Sequence, residues 1–335
     1  MLRLRICVLS LSLVTLVAAC SESGGDTATT TVVPTTTTVA PTTTTASTTA
    51  APTTTTTTST TTTTLPPKPF PEGTLVAFSS DREGTGALFV MDLADGELRQ
   101  VSFGLETMLS PAWSPDGQSL VYVSLSGRSR LVVLDVVAAW EGETEPIELT
   151  DGSLEVDQPA WSPDGTIAFK VMTEDETSEI WAIPAAGGEP ELLISNAEGP
   201  AYSPDGTRLA YVELGDRESA IVVRELESGE ETRLTDPAER ATTPAWSPDG
   251  SQIAFTAGTS DYDIWVVDAA GGEPRLVAGE ADREWWPCWA STDEIVYARF
   301  NPENLHDIWV ADIATETTVP LVEAPSDDWF PACQP

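Results

Sequence analysis

Residues 243–277 set out an alternation of apolar and polar positions that recurs along most of the chain. A short apolar run, Pro244-Ala245-Trp246, meets the tetrad Ser247-Pro248-Asp249-Gly250, and an alternating run, Ile253-Ala254-Phe255, follows. A third run, Asp263-Ile264-Trp265-Val266-Val267-Asp268, leads through Gly271-Gly272 into a fourth, Arg275-Leu276-Val277. Proline at the second turn position supplies a φ of about −65°, aspartate tolerates the third, and glycine takes the fourth, where positive φ is often needed. Serine can cap the turn from its first position. The pattern predicts four antiparallel strands joined by tight turns, apolar on both faces and therefore packed between two neighbouring sheets.

The tetrad is written four times, at 114–117, 162–165, 203–206 and 247–250, a spacing of about 41 to about 48 residues. A period of that size is the signature of a repeat architecture. Aligned on the residue before the tetrad, the units end their opening strands at Trp113, Trp161, Tyr202, Trp246, Trp289 and Cys333, the fifth turn being degraded to Ala290-Ser291-Thr292-Asp293. The sixth copy stops after its opening strand, while the segment before the first copy has strands two to four and lacks the first. The two pieces complete one another. The expected fold is all-β: a six-bladed β-propeller of four-stranded antiparallel blades, the last blade closed by N- and C-terminal strands so that no sheet edge stays open in the ring.

The sequence P-A-W-S-P-D-G, then I-A-F, then D-I-W-V-V-D and a G-G turn, resembles the TolB-type (WD40-like) β-propeller repeat. The stretch from Val76 to Ser102 is similar to such a unit without its opening strand. The resemblance covers residues 72–335 and implies the fold, since these repeats are scaffold and carry no chemistry of their own. TolB proteins have an α/β domain ahead of the propeller and act in a periplasmic envelope complex. A different kind of segment occupies that position here, so the complex does not carry over. The repeat also resembles the non-catalytic propellers of prolyl-oligopeptidase-type enzymes.

Arg3 and Arg5 precede an apolar run from Ile6 to Ala19 that is too short to span a bilayer and reads as a secretory signal peptide, residues 1–19. It ends in Val17-Ala18-Ala19-Cys20, which resembles the lipobox of bacterial lipoproteins. The resemblance implies that Cys20 is diacylated and becomes the mature N-terminus. Residues 27–64 are almost only threonine with scattered proline and no charge, an extended stalk that at polyproline II rise could reach about 100 Å. The expected organisation is therefore a signal, a lipidated cysteine with a Thr/Pro-rich stalk over residues 20–71, and a propeller over residues 72–335. The expected location is the outer side of a cell membrane, held by lipid.

The chain carries 53 acidic and 16 basic residues, a formal net charge of −37, which repels phosphate backbones and excludes nucleic acid as a partner. No Gly-x-Ser-x-Gly elbow, His-Glu-x-x-His motif or phosphate loop occurs. The single histidine, His306, is expected in an exposed loop between the second and third strands of blade five. Asp261-Tyr262-Asp263 has the composition of a calcium ligand, but Asp263 aligns with a strand start in other blades, and neither a catalytic residue nor a metal ligand is assigned. Two function classes stay open. One is a lipid-anchored, monomeric binding or scaffolding propeller whose partner is an envelope or extracellular protein, a peptide or a glycan; the other is an extracytoplasmic enzyme acting on glycan or peptide through carboxylates.

With Cys7 in the signal and Cys20 acylated, Cys288 and Cys333 remain as a candidate disulfide of an exported domain. They lie on neighbouring opening strands but one position out of step, so a bond and two buried thiols are both open. The candidate binding residues are aromatic. Three and four positions before the aligned residue, blades one to four carry mostly small or polar residues, whereas the last two carry Trp285 with Trp286 and Trp329 with Phe330, beside Glu284, Asp327 and Asp328. These side chains should gather at one mouth of the central channel and contact a peptide or sugar, or else fill the seam between blades five and six.

Overall fold

A computed structural model describes residues 75–142, 145–259, 261–279, 283–301, 303 and 305–335. The signal peptide, Cys20 and the stalk lie outside the described residues. The rest forms six four-stranded antiparallel sheets, and the innermost strand of each touches the innermost strands of both its neighbours, which closes a ring.

Blade one comprises Thr107–Trp113, Ser119–Leu125, Ser129–Asp135 and Ile147–Glu148. Blade two is Glu155–Trp161, Thr166–Met172, Ser178–Pro184 and Glu191–Ser195. Blade three is Ala197–Tyr202, Arg208–Leu214, Ser219–Glu225 and Glu231–Arg233. Blade four is Thr242–Trp246, Gln252–Ala257, Asp263–Asp268 and Arg275–Ala278. Blade five is Glu284–Trp289, Glu294–Phe300, His306–Asp312 and Thr317–Val322. Blade six takes its innermost strand, Asp328–Cys333, from the C-terminus and pairs it with Leu75–Ser80, followed by Ala87–Asp92 and Leu98–Gln100. Every innermost strand ends on the residue that the repeat alignment singled out.

The tetrads fold as their residues require. In each, the glycine N–H donates to the serine carbonyl three residues back at 2.8–3.0 Å, and Gly117, Gly165, Gly206 and Gly250 all take positive φ, between 65° and 87°. The aspartate carboxylate accepts the backbone N–H of the residue after the glycine, as Asp205 does from Thr207 at 3.0 Å. In three of the four turns the serine hydroxyl also donates to that carboxylate, as from Ser203 to Asp205 at 2.6 Å.

The core is divided into six wedges, one at each junction between neighbouring blades. Successive side chains of a strand point to opposite faces. Leu75 and Ala77 accordingly pack toward blade one, while Val76 and Phe78 pack toward blade five. Two features depart from the repeat. In blade one the third and fourth strands are joined through a one-and-a-half-turn helix, Val136–Glu141, in place of a glycine turn; Asp135 caps its first turn by accepting from the Ala138 N–H, and Gly142 ends it at φ 78°. His306 is the first residue of a strand, paired with Phe300, and is buried, which corrects the expectation of an exposed loop position.

Cys288 and Cys333 form a disulfide with a Cα separation of 5.5 Å. The offset of one position, which could have forbidden the bond, is what the ring geometry demands. The last residue of an innermost strand faces the next-to-last residue of the preceding blade: Trp113 Nε1 donates to the Ala332 carbonyl, Trp246 Nε1 to Ala201 and Trp289 Nε1 to Ala245, each at 3.0 Å. Cys333 and Cys288 occupy the corresponding pair of positions.

Two outcomes follow from these contacts. The Cys288→Ser/Cys333→Ser double variant is expected to lose on the order of 4 kcal/mol of unfolding free energy, the chain-entropy estimate for a cross-link spanning 45 residues. Urea melts that superimpose on the parent's would refute a stabilising bond. The Ser203 hydroxyl, and then the Thr207 N–H, hold the Asp205 carboxyl down at about 2, and the Asp249 and Asp164 carboxyls are also lowered, chiefly by Ser247 and by Thr166. A lowered folded-state value gives a stabilisation present above the ordinary value of 3.8 and lost as pH falls toward about 2. The melting temperature should therefore drop over that window, and Asp205→Asn should flatten the drop while lowering stability at pH 7; an unchanged acid limb in the variant would contradict the assignment.

Candidate functional site

Each innermost strand ends at its first turn, so the tetrads define a turn face. The loops entering the innermost strands, and those joining second to third strands, lie on the opposite, loop face. Leu75, which hydrogen-bonds Gln334, begins a second strand and so lies at the turn face.

All six innermost strands break register at the same place, three residues before their end. The bulged residues are Ser110, Gln158, Gly199, Thr243, Trp286 and Phe330, all with φ between 49° and 60°. Each precedes a proline, Pro111, Pro159, Pro200, Pro244, Pro287 or Pro331. Proline lacks the N–H that a regular ladder would need there, and a bulge takes its residue out of the ladder and re-aims the side chain.

The bulged residues lead from blade to blade around the ring. Ser110 Oγ donates to Asp157 at 2.9 Å, and the Gly199 N–H donates to Gln158 Oε1 at 3.0 Å. A Cβ on Gly199 would lie 3.4 Å from Pro244, and the Trp286 and Phe330 rings meet at 4.2 Å. Blades one to four thus line this level with small or polar groups, and blades two and three add the buried Lys170, paired with Glu198 at 2.6 Å. Blades five and six line it with aromatic rings. A left-handed backbone costs a non-glycine residue about 1–2 kcal/mol, so two bulky rings are held there against a local backbone preference.

Most of the candidate aromatics converge. Trp285 packs at a tilt on Tyr262 at 4.1 Å and on Trp286 at 5.9 Å, and Trp286 continues to Phe330, giving an arc of four partly exposed rings across blades four, five and six. His306 extends it, 5.4 Å from Trp286 and 4.0 Å from Phe300, with its Nδ1 and its backbone N both 2.7 Å from Asp327 Oδ1. Trp329 lies to the other side, toward blade one, its ring 3.6 Å from the Cβ position of Gly86. Trp286 also packs on the wedge between blades five and six, whereas Trp285 joins none of the six wedges. Of the two adjacent tryptophans, Trp286 therefore joins the seam and Trp285 stays outside it.

The carboxylates are less uniform than their spacing suggested. Glu284 and Asp328 are fully buried, beside Arg299 at 3.6 Å and Arg82 at 2.8 Å, and Asp327 is the partly exposed one. Burial raises the Asp328 carboxyl, against the lowering effect of Ser80 and Arg82. Asp307, cross-strand from Arg299, is raised for the same reason. Asp263 opens a strand, and burial followed by the neighbouring Asp261 raises it. Among the described residues no group of three or more His, Cys, Asp and Glu side chains is placed to hold a metal ion, and no helix is long and apolar enough to cross a membrane. Phe103 and Leu105, in the loop leading into blade one, are 67% and 93% exposed on the same loop face. Sequence reasoning missed Tyr262 and His306 as members of the cluster, although both precede an Asp-Ile-Trp strand start.

A closed ring of six repeated sheets with its distinctive side chains at one mouth defines a β-propeller scaffold. The family described as the TolB beta propeller domain matches residues 45–199 and 189–298, and the chain belongs to it. The uncharacterized protein Atu1656 of Agrobacterium fabrum is 29% identical over 221 residues, which are 64% of this chain and 73% of that protein. Among solved structures, TolB from Acinetobacter baumannii superposes with a TM-score of 0.68 at 20% identity, covering 78% of this chain and 66% of its own. The chain thus spans just under two thirds of that TolB. An oligogalacturonate lyase in complex with manganese is similar in fold, with a TM-score of 0.53 at 17% identity over 74% of this chain and 73% of its own. The shared fold thus includes an enzyme.

The division between adjacent tryptophans is testable. Trp286→Ala should cost about 3 kcal/mol, as for a large aromatic removed from a packed site. Trp285→Ala should cost less than about 1 kcal/mol, the range of surface substitutions. Equal losses in chemical denaturation would assign both residues to the seam.

Proposed function

We propose that this protein is a lipid-anchored, extracytoplasmic binding propeller that captures a protein or peptide partner at its loop-face mouth. The observation that carries the reading is the break in the ring's near-sixfold repetition: at the same strained backbone position, blades five and six present aromatic rings where the others present small or polar groups. Partly exposed aromatics at the loop face supply contact area at low entropic cost. The exposed Phe103 and Leu105 extend the apolar surface on that face. The membership in the TolB propeller family supports a scaffold role. The carboxylate-enzyme reading is the weaker one, because Glu284 and Asp328 are buried beside arginines.

Anchoring and recognition separate in one experiment. A photo-crosslinking amino acid at position 285, and another at position 249 on the turn face, are placed in the full-length chain and in its Cys20→Ala variant in living cells. Position 285 is expected to trap a discrete partner and position 249 none, and Cys20→Ala should leave the membrane fraction or fail to mature. Capture from position 249 alone would place recognition on the other face, and a Cys20→Ala protein still membrane-bound and correctly trimmed would remove the anchor from the proposal.

A further inference from the structure

An aspartate followed by glycine carries a latent reaction. The glycine nitrogen, unhindered by a Cβ, attacks Cγ of the protonated aspartate, one water leaves, and a succinimide ring forms. Hydrolysis returns the water at one ring carbonyl to restore aspartate, or at the other to leave the side-chain methylene in the backbone as isoaspartate. The chain holds six such steps: Asp95-Gly96, Asp116-Gly117, Asp151-Gly152, Asp164-Gly165, Asp205-Gly206 and Asp249-Gly250. Their local geometry is nearly the same. Every one of these glycines has φ between 65° and 87°, and every one of these carboxylates accepts the N–H of the residue after the glycine at 2.8–3.1 Å.

The six differ in the nitrogen that must react. Gly96 donates its N–H to the Asp92 carbonyl, and the four tetrad glycines donate theirs to the tetrad serine carbonyls, at 2.8–3.0 Å. The Gly152 N–H has no hydrogen-bond partner among the described residues. Attack at the other five steps must first break a turn bond, and at Gly152 there is none to break. The surroundings of Gly152 favour the anion as well. Its Cβ position lies 3.3 Å from Arg128 Cβ and 3.4 Å from Arg130 Nε, and a neighbouring cation stabilises a nitrogen that is losing its proton. Asp151 itself is exposed, in the loop entering the innermost strand of blade two.

We propose that Asp151-Gly152 is the site at which this folded protein spontaneously forms isoaspartate. The chain on either side of the step is pinned: Leu149 and Thr150 bond Leu131, and Val156 bonds Ser129. One extra backbone atom between those anchors shifts the Gly152 carbonyl away from Arg128 Nη1, which donates to it at 3.0 Å. The loop face of blade two is therefore where ageing changes the ring first.

For the test, purified protein is aged for weeks at neutral pH, once folded and once in unfolding urea, and digested with trypsin. Asp151 and Asp164 fall in one tryptic peptide, residues 131–170, so two of the steps are compared within a single fragment. Electron-transfer fragmentation, which distinguishes isoaspartate from aspartate, is expected to find about fivefold more isoaspartate at 151 than at 164 in the folded sample, the factor for the net worth of one hydrogen bond. The two yields should be nearly equal in urea. Equal yields in the folded sample overturn the proposal, and so does a larger yield at any of the other four steps. An excess at 151 that persists in urea overturns it too, because the flanking sequence and not the fold would then set the rate.

Discussion

The contact on which the rest of this structure depends is the one between the last residue of each innermost strand and the next-to-last residue of the strand before it. Trp113, Trp246 and Trp289 make it as an indole hydrogen bond to a backbone carbonyl across the blade junction. One such contact fixes three things together: how far neighbouring strands stand apart, which residues of each strand face which wedge of core, and the height at which each strand bulges. Because side chains alternate along a strand, a slip of one residue would exchange the two apolar faces of the whole blade. At the last junction the same two positions are occupied by Cys333 and Cys288, and a covalent bond replaces the indole. The blade that is built from both ends of the described chain is thereby fastened at the point where it could otherwise open.

The mouth inherits its geometry from that stitch. Each bulge lies three residues before the stitched position, about 10 Å at the rise of a strand. Trp286 and Phe330 are therefore set side by side by the same offset that aligns the cysteines, and their 4.2 Å separation is a property of the junction as well as of the two rings. The left-handed backbone at these positions opposes folding locally, and the surrounding ladder, the following proline and the neighbouring blade together hold it. In blades one and two the same backbone carries side chains that hydrogen-bond to the next blade, in blade three Gly199 has no side chain at all, and in blade four Thr243 bonds Thr256 of its own blade. The ring can therefore close with small residues in this position. Aromatic residues there are an addition to the architecture.

The architecture was legible because its signals are local and repeated. Ser-Pro-Asp-Gly dictates a turn from within four residues, and the incomplete first and last units state the closure. The helix at Val136–Glu141 was less visible, since a short apolar run reads equally as strand, and only Asp135 and Gly142 mark its ends. At the site, the aromatic pairs were legible by comparing blades, but their division was not. Whether Trp285 or Trp286 enters a core wedge depends on the bulge, which no single unit announces. The recurring X-Pro step was the available signal, and its meaning is tertiary, because a residue before proline is ordinarily biased to extended backbone. The fate of Glu284 and Asp328 was likewise out of reach, because burial beside Arg299 and Arg82 joins residues on different strands.

Blade five is where the repeat is most altered, and the alterations share a row. At the loop-face end of its sheet, Glu284, Arg299 and Asp307 stand opposite one another across three strands, and all are buried. The corresponding row of blade two is Val156, Val171 and Glu179, and that of blade four ends on Ala257 and Asp263. Buried ionic groups are a poor source of stability compared with apolar ones of similar volume, but removing one partner is strongly destabilising. A row of this kind therefore fixes its strands in one arrangement more than it strengthens them. It stands next to His306 and Asp327, which tie the third strand of blade five to the loop entering blade six. The rings of the mouth are thus carried by the two blades whose relative position is the most heavily specified in the ring, by a charged row, a histidine–carboxylate pair and a disulfide. On the far side of the channel, the junction of blades two and three has among the described residues the ion pair Lys170–Glu198 as its charged tie.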